Sequence, residues 1–192
     1  MAEGYATSPR GRRQRWISSA TRSHQKSRPA SGKLVGIQDI GAVDALWRLI
    51  KRTLHAGDFP RSEAYARRSL EIYDRLFGPT SPASVEVLAE LGLALANQGR
   101  AEEASRVFDR AQAQMQGAVR WDVPLTLLGY RAYAAMADRK PDEAIALGQK
   151  ALAMSEARRG DTYNLAFIWG TLGLAYRDGG RTDEALVAAE HS

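Results

Sequence analysis

From about Ile40 onward, apolar residues recur at three- and four-residue intervals, Ala and Leu are abundant, and runs of β-branched residues are absent. That is the period of amphipathic helices, not of strands. The spacing predicts eight helices, at about 42–56, 59–77, 82–97, 101–117, 123–137, 141–158, 162–178 and 182–190. Their ends carry chemical marks. Gly78-Pro79 closes one helix, and Ser81-Pro82 opens the next with a capping hydroxyl and a proline suited to the first turn. Acids follow Pro141 (Asp142, Glu143) and Thr182 (Asp183, Glu184), where the helix dipole favours negative charge. Gly57, Gly99 and Gly179-Gly180 lie between paired segments as tight turns.

The pairs recur. The small residue in the first turns of successive second helices is Ser62, Ala104, Ala144 and Ala185, with spacings of 42, 40 and 41 residues. Helix–turn–helix units at a period near 40 define a solenoid in which each unit buries its apolar face against its neighbours.

Trp169, Leu172, Gly173, Tyr176, Gly180, Ala185 and Ala189 are spaced as a large residue, Leu, Gly, Tyr, turn Gly, Ala and small residue. The series Leu88, Leu91, Gly92, Leu95, Gly99, Ala104, Phe108 and Ala111 has the same spacing. Both series resemble the tetratricopeptide repeat. A first copy is looser (Leu46, Leu49, Gly57, Ser62, Ala66, Ser69), and the third is loosest, with Arg131 and Ala132 where Leu and Gly would stand. The long period and the Gly-Pro hinge are similar to the kinesin-light-chain type of repeat. The resemblance covers about Val43 to Glu190 and implies an all-α, right-handed α-α superhelix of about four repeats: 43–81, 82–122, 123–161 and an incomplete 162–192. It also implies that the first helices line a groove for a peptide or a partner helix.

Trp169, Leu172 and Tyr176 read as core residues that build the repeat. Groove candidates are therefore the first-helix positions that the pattern leaves free: Trp47, Lys51, Glu86, Ala89, Leu93, Tyr130, Tyr133, Gly170 and Leu174. Family members that clamp a carboxylate or a peptide backbone carry Lys, Arg and Asn pairs at such positions. Here most are small, apolar or aromatic, and Ala89-Glu90 stands where the longer repeat type often has Asn-Asn. Such a groove suits an apolar peptide or an amphipathic helix, since each fully buried anchor gains about 1.5–3 kcal/mol.

Composition alters this picture at one end only. Residues 1–36 are rich in Ser, Arg, Gly and Pro and lack apolar periodicity, so they read as a disordered tail ahead of a repeat domain at 37–192. Residues 1–40 hold eight basic residues against Glu3 and Asp39, a balance of +6 that leaves −1 for the rest of the formal +5. Arg10, Arg12, Arg13 and Arg15, followed by Trp16, could meet phosphates and stack a base, a weak and unspecific nucleic-acid contact. The twin arginine at 12–13 is not followed by an apolar stretch, so no export signal is read.

The chain of 192 residues has no cysteine, which removes disulfides and thiolate chemistry and fits a reducing, cytoplasmic setting. No apolar run approaches the roughly 20 residues of a membrane span. His24, His55 and His191 are too scattered for a metal site, and Ser31-Gly32-Lys33 lacks the rest of a phosphate loop. No catalytic residue, metal or cofactor is implied. The expected activity is that of a non-catalytic interaction scaffold. A second expectation is a regulatory module whose tail contacts nucleic acid while the repeats bind a protein. The unfinished last repeat still offers Leu186 and Val187, an unpaired surface for either a second copy of the protein, which predicts self-association there, or further repeats of a longer chain.

Overall fold

The computed structural model describes residues 37–115, 122–156 and 162–192. The chain divides into Met1–Ile37 and Gln38–Ser192, and apart from its first residue the helical structure belongs to the second unit. Eight α-helices and no strand occur among the described residues. They are α1 (Ile37–His55), α2 (Phe59–Phe77), α3 (Val85–Asn97), α4 (Ala101–Gln114), α5 (Asp122–Ala137), α6 (Pro141–Glu156), α7 (Thr162–Asp178) and α8 (Thr182–Glu190), with a 3-10 turn at Pro82–Ser84 before α3. The expected tail falls almost wholly outside the described residues. Three boundaries differ from the sequence reading by three residues or more: α1 begins at Ile37 rather than near 42, α3 begins at Val85 after the 3-10 turn rather than at 82, and α4 ends at Gln114 rather than near 117.

Each pair is closed by the same turn. The backbone N–H groups of Asp58, Arg100, Lys140 and Arg181 donate to the carbonyls of Thr53, Leu95, Ala135 and Tyr176, at 2.8–3.0 Å. The residue before each donor has positive φ: Gly57 (73°), Gly99 (73°), Arg139 (57°) and Gly180 (74°). This is a helix C-terminus closed through a left-handed residue, and glycine takes that conformation without steric cost. The third turn achieves it with arginine.

Side-chain size then sets how closely the helices of a pair approach. Ile50, Gly92, Ala132 and Gly173 are equivalent on the first helices, as are Ala66, Phe108, Gly148 and Ala189 on the second. Where the first helix has glycine at position 92, the buried ring of Phe108 fills the space, and a Cβ there would lie 2.3 Å from Phe108 Cε1. Where the second has Gly148, the gap is filled from the next repeat, since a Cβ would lie 2.7 Å from Leu172 Cγ. The core therefore runs continuously from repeat to repeat, with Leu125, Ile145, Ile168, Leu172 and Tyr176 in one cluster.

Polar groups fix the joint between the first two repeats. The Pro79 carbonyl accepts from Gln114 Nε2 at 2.6 Å and from Arg110 Nη2 at 3.1 Å, Arg110 also pairs with Asp74, and the buried Ser84 hydroxyl donates to Gln114 Oε1. At the other end of this joint Glu63 accepts from Arg67, Gln98 and Arg100. Partial burial alone would raise its pKa, but these bonds outweigh burial and hold the carboxyl below its ordinary value.

Candidate partner-binding face

The first helices α1, α3, α5 and α7 stand side by side, with α3 against α5 and α5 against α7. A helix in this row touches its own partner and its neighbours, so only one stripe of it remains for solvent. The sequence candidates lie on that row, but they divide into two groups.

One group is internal. Ala89 and Tyr130 are 2% and 6% exposed, so they pack between first helices rather than offering a surface. Tyr130 belongs to a polar chain crossing three repeats. Lys51 Nζ of α1 lies 2.5 Å from Glu90 Oε1 of α3, and the Tyr130 hydroxyl of α5 lies 3.4 Å from both Glu90 oxygens. The half-buried Trp47 ring faces the same ammonium, 5.4 Å from its centroid. Burial would lower the pKa of Lys51, but the Glu90 carboxylate and the Tyr130 hydroxyl outweigh it and hold the ammonium above its ordinary value.

The second group is open. Leu93, Tyr133 and Gly170 are partly exposed, and Leu174 is 41% exposed. Phe167 of α7 joins them: its ring packs edge-on to Tyr130 at 5.5 Å and tilted to Tyr133 at 5.8 Å. The Tyr133 hydroxyl donates to Asn97 Oδ1 at 2.8 Å, and Asn97 Nδ2 donates to the Leu93 carbonyl, which holds the tyrosine across the α3–α5 boundary. Nothing lies within 4 Å of a Cβ built on Gly170, so the floor beside Phe167 and Leu174 is open. Glu86 is partly exposed on α3.

Sequence reasoning missed Glu90, Asn97 and Phe167. Glu90 did carry a signal, being the only charged residue between Glu86 and Arg100 in an otherwise apolar helix. Such a carboxylate needs a cation from elsewhere in the fold. Phe167 and Asn97 carried none, because their role depends on which helices become neighbours. Arg10, Arg12, Arg13 and Arg15 lie outside the described residues.

Among the described residues, no group of three His, Asp or Glu side chains could hold a metal ion, and no helix is long and apolar enough to cross a membrane. What the face presents is an aromatic and aliphatic strip with the Asn97 amide alongside.

The family model of the tetratricopeptide repeat matches residues 45–116 and 123–192. The chain belongs to the tetratricopeptide repeat family. Comparison with curated proteins gives no significant match. Among solved structures, this repeat protein is similar to one from Podosopora anserina assigned as a kinesin light chain, with nearly identical TPR-like repeats. That likeness has a TM-score of 0.60 at 20% identity and covers 77% of this chain and 71% of the other. It is also similar to BtubC (BKLC) from P. vanneervenii, with a TM-score of 0.63 at 14% identity over 93% of this chain and 72% of that one. At such identities the likeness concerns the fold alone, that of a tetratricopeptide solenoid.

Proposed function

We propose that the protein is a non-catalytic scaffold, working in the cytoplasm, that binds an apolar peptide or partner helix on the strip formed by Leu93, Tyr133, Phe167 and Leu174. The observation that carries this reading is the partly exposed aromatic and aliphatic strip running over three consecutive first helices beside the open floor at Gly170. Tetratricopeptide repeats are in general protein-interaction scaffolds, and strips of this kind supply apolar anchors while neighbouring amides fix direction.

The test is selection of binders from a displayed peptide library, followed by titration against Gly170→Arg and Leu174→Glu. Both changes sit at open positions, so a thermal unfolding midpoint no lower than the parent's is expected and shows that each variant is folded. Each is expected to weaken the selected peptides at least about tenfold, a loss of about 1.4 kcal/mol. Peptides that bind both variants as well as the parent would place the site elsewhere.

The charge of residues 1–40 favours a second reading, in which the tail contacts nucleic acid while the repeats recruit a protein. Binding to duplex DNA would then fall steeply with salt and be lost when Arg10, Arg12, Arg13 and Arg15 are replaced by Gln. DNA binding that ignores those four changes would remove it.

A further inference from the structure

One joint is built three times in this molecule: the second helix of a repeat receives the first helix of the next, as α2 receives α3, α4 receives α5 and α6 receives α7. The first helix contributes a stripe to it. Val87, Leu127 and Ile168 are equivalent on α3, α5 and α7 and are at most 1% exposed. Ala94, Ala134 and Ala175, one helical face further on, are also buried. The receiving helix contributes a pocket. On α6, Ile145 is 5% exposed under α7, and Gly148 leaves the notch that Leu172 occupies.

Residues of both halves of the same joint are exposed, on α8 and on α1. On α8 the equivalents of Ile145 and Gly148 are Leu186, 63% exposed, and Ala189, also exposed, with Val187 beside them at 52%. On α1 the stripe reads Ala45, Arg48, Leu49 and Arg52; all are exposed except Leu49, which is partly buried, whereas its counterparts Leu91 and Leu172 are 2% and 0% exposed.

Charge selects what covers α8. Helix α8 carries Asp183, Glu184 and Glu190 and no base, so two α8 faces brought together oppose acid with acid. The stripe on α1 carries Arg48 and Arg52 beside its leucine. We infer that the outer face of α8 docks α1 of a second copy of this chain, with Leu49 packing against Leu186 and Ala189 and Arg52 facing Glu190. The contact is heterologous, so it propagates head to tail rather than closing a two-fold dimer. Its charged rim makes it sensitive to salt.

The experiment is light scattering on the full chain over a hundredfold concentration range at low and moderate salt. The parent is expected to rise above the 21.0 kDa monomer with concentration at low salt and to return toward it as salt is added. Leu186→Lys and Arg52→Glu should each hold the mass at that of the monomer, and adding Glu190→Arg to Arg52→Glu should restore association. The altered positions are exposed, so unchanged circular dichroism and melting show that each variant is folded. A parent that stays at 21.0 kDa throughout overturns the inference. So does association indifferent to Arg52→Glu, which would mean that another α8 or the basic tail covers the face.

Discussion

Ser69 is fully buried in α2, and its hydroxyl is the one buried side-chain polar atom without a hydrogen-bond partner among the described residues. The equivalent positions on α4 and α6 are Ala111 and Ala151, both fully buried. Burying an unsatisfied hydroxyl costs about 1–3 kcal/mol. Ser69→Ala removes that cost and leaves at most the small gap of one oxygen atom. It is expected to raise unfolding stability by about 1 kcal/mol in urea titration; a loss of stability would show that the hydroxyl has a partner. This residue also shows what the sequence could tell. The offset of 42 from Ser69 to Ala111 is legible and marks a small, packed position. That its oxygen finds no acceptor follows from the geometry of the fold. The pairing of Gly92 with Phe108 was legible in the same partial way, as a small and a large residue at family positions, without the contact that joins them.

At the scale of elements, the turns were the most legible feature because they rest on local chemistry. Glycines marked three of four, and the same backbone bond closes all of them. The third turn has no glycine to mark it, and its left-handed residue is Arg139, an exposed side chain at φ 57°. A residue with a Cβ pays about 1–2 kcal/mol in this conformation, and part of that is offset because glycine loses more chain entropy on folding. Arg139→Gly is therefore expected to stabilise the protein by about 0.5–1 kcal/mol, read as a higher denaturation midpoint with an unchanged slope. A lower midpoint would mean that the arginine makes a contact worth more than its strain. Other helix ends were less legible. At the start of α1 and the end of α4 the reading missed by several residues, since the apolar period continues or stops there without regard to the helix end. Arg131 stood out as a departure from the pattern, and its solution is tertiary: the guanidinium pairs with Asp109 of the preceding repeat at 2.9 Å.

At the scale of the whole molecule, a solenoid is a row of units coupled only to their neighbours, so its cooperativity rests on the joints. Lys51, Glu90 and Tyr130 tie the first three repeats together, and the two ions differ in their access to water. The Glu90 side chain is 3% exposed and that of Lys51 is 34% exposed. Removing the cation strands a carboxylate in the interior, where among the described residues the hydroxyl of Tyr130 is left facing it. Removing the anion leaves an ammonium that can turn toward solvent along the Trp47 ring. Lys51→Met, which keeps the aliphatic stem, is therefore expected to cost about 3 kcal/mol, whereas Glu90→Gln, which keeps a hydrogen-bonding group, costs about 1 kcal/mol. The loss in Lys51→Met also falls on one joint, so the first repeat should separate from the others as an earlier phase in denaturation followed by tryptophan fluorescence, with Trp47 as its reporter. Equal losses in the two variants, or a larger one in Glu90→Gln, would mean that Glu90 reaches water as freely as Lys51. The cross-repeat tie would then be an ordinary surface pair, contributing about 0–1 kcal/mol.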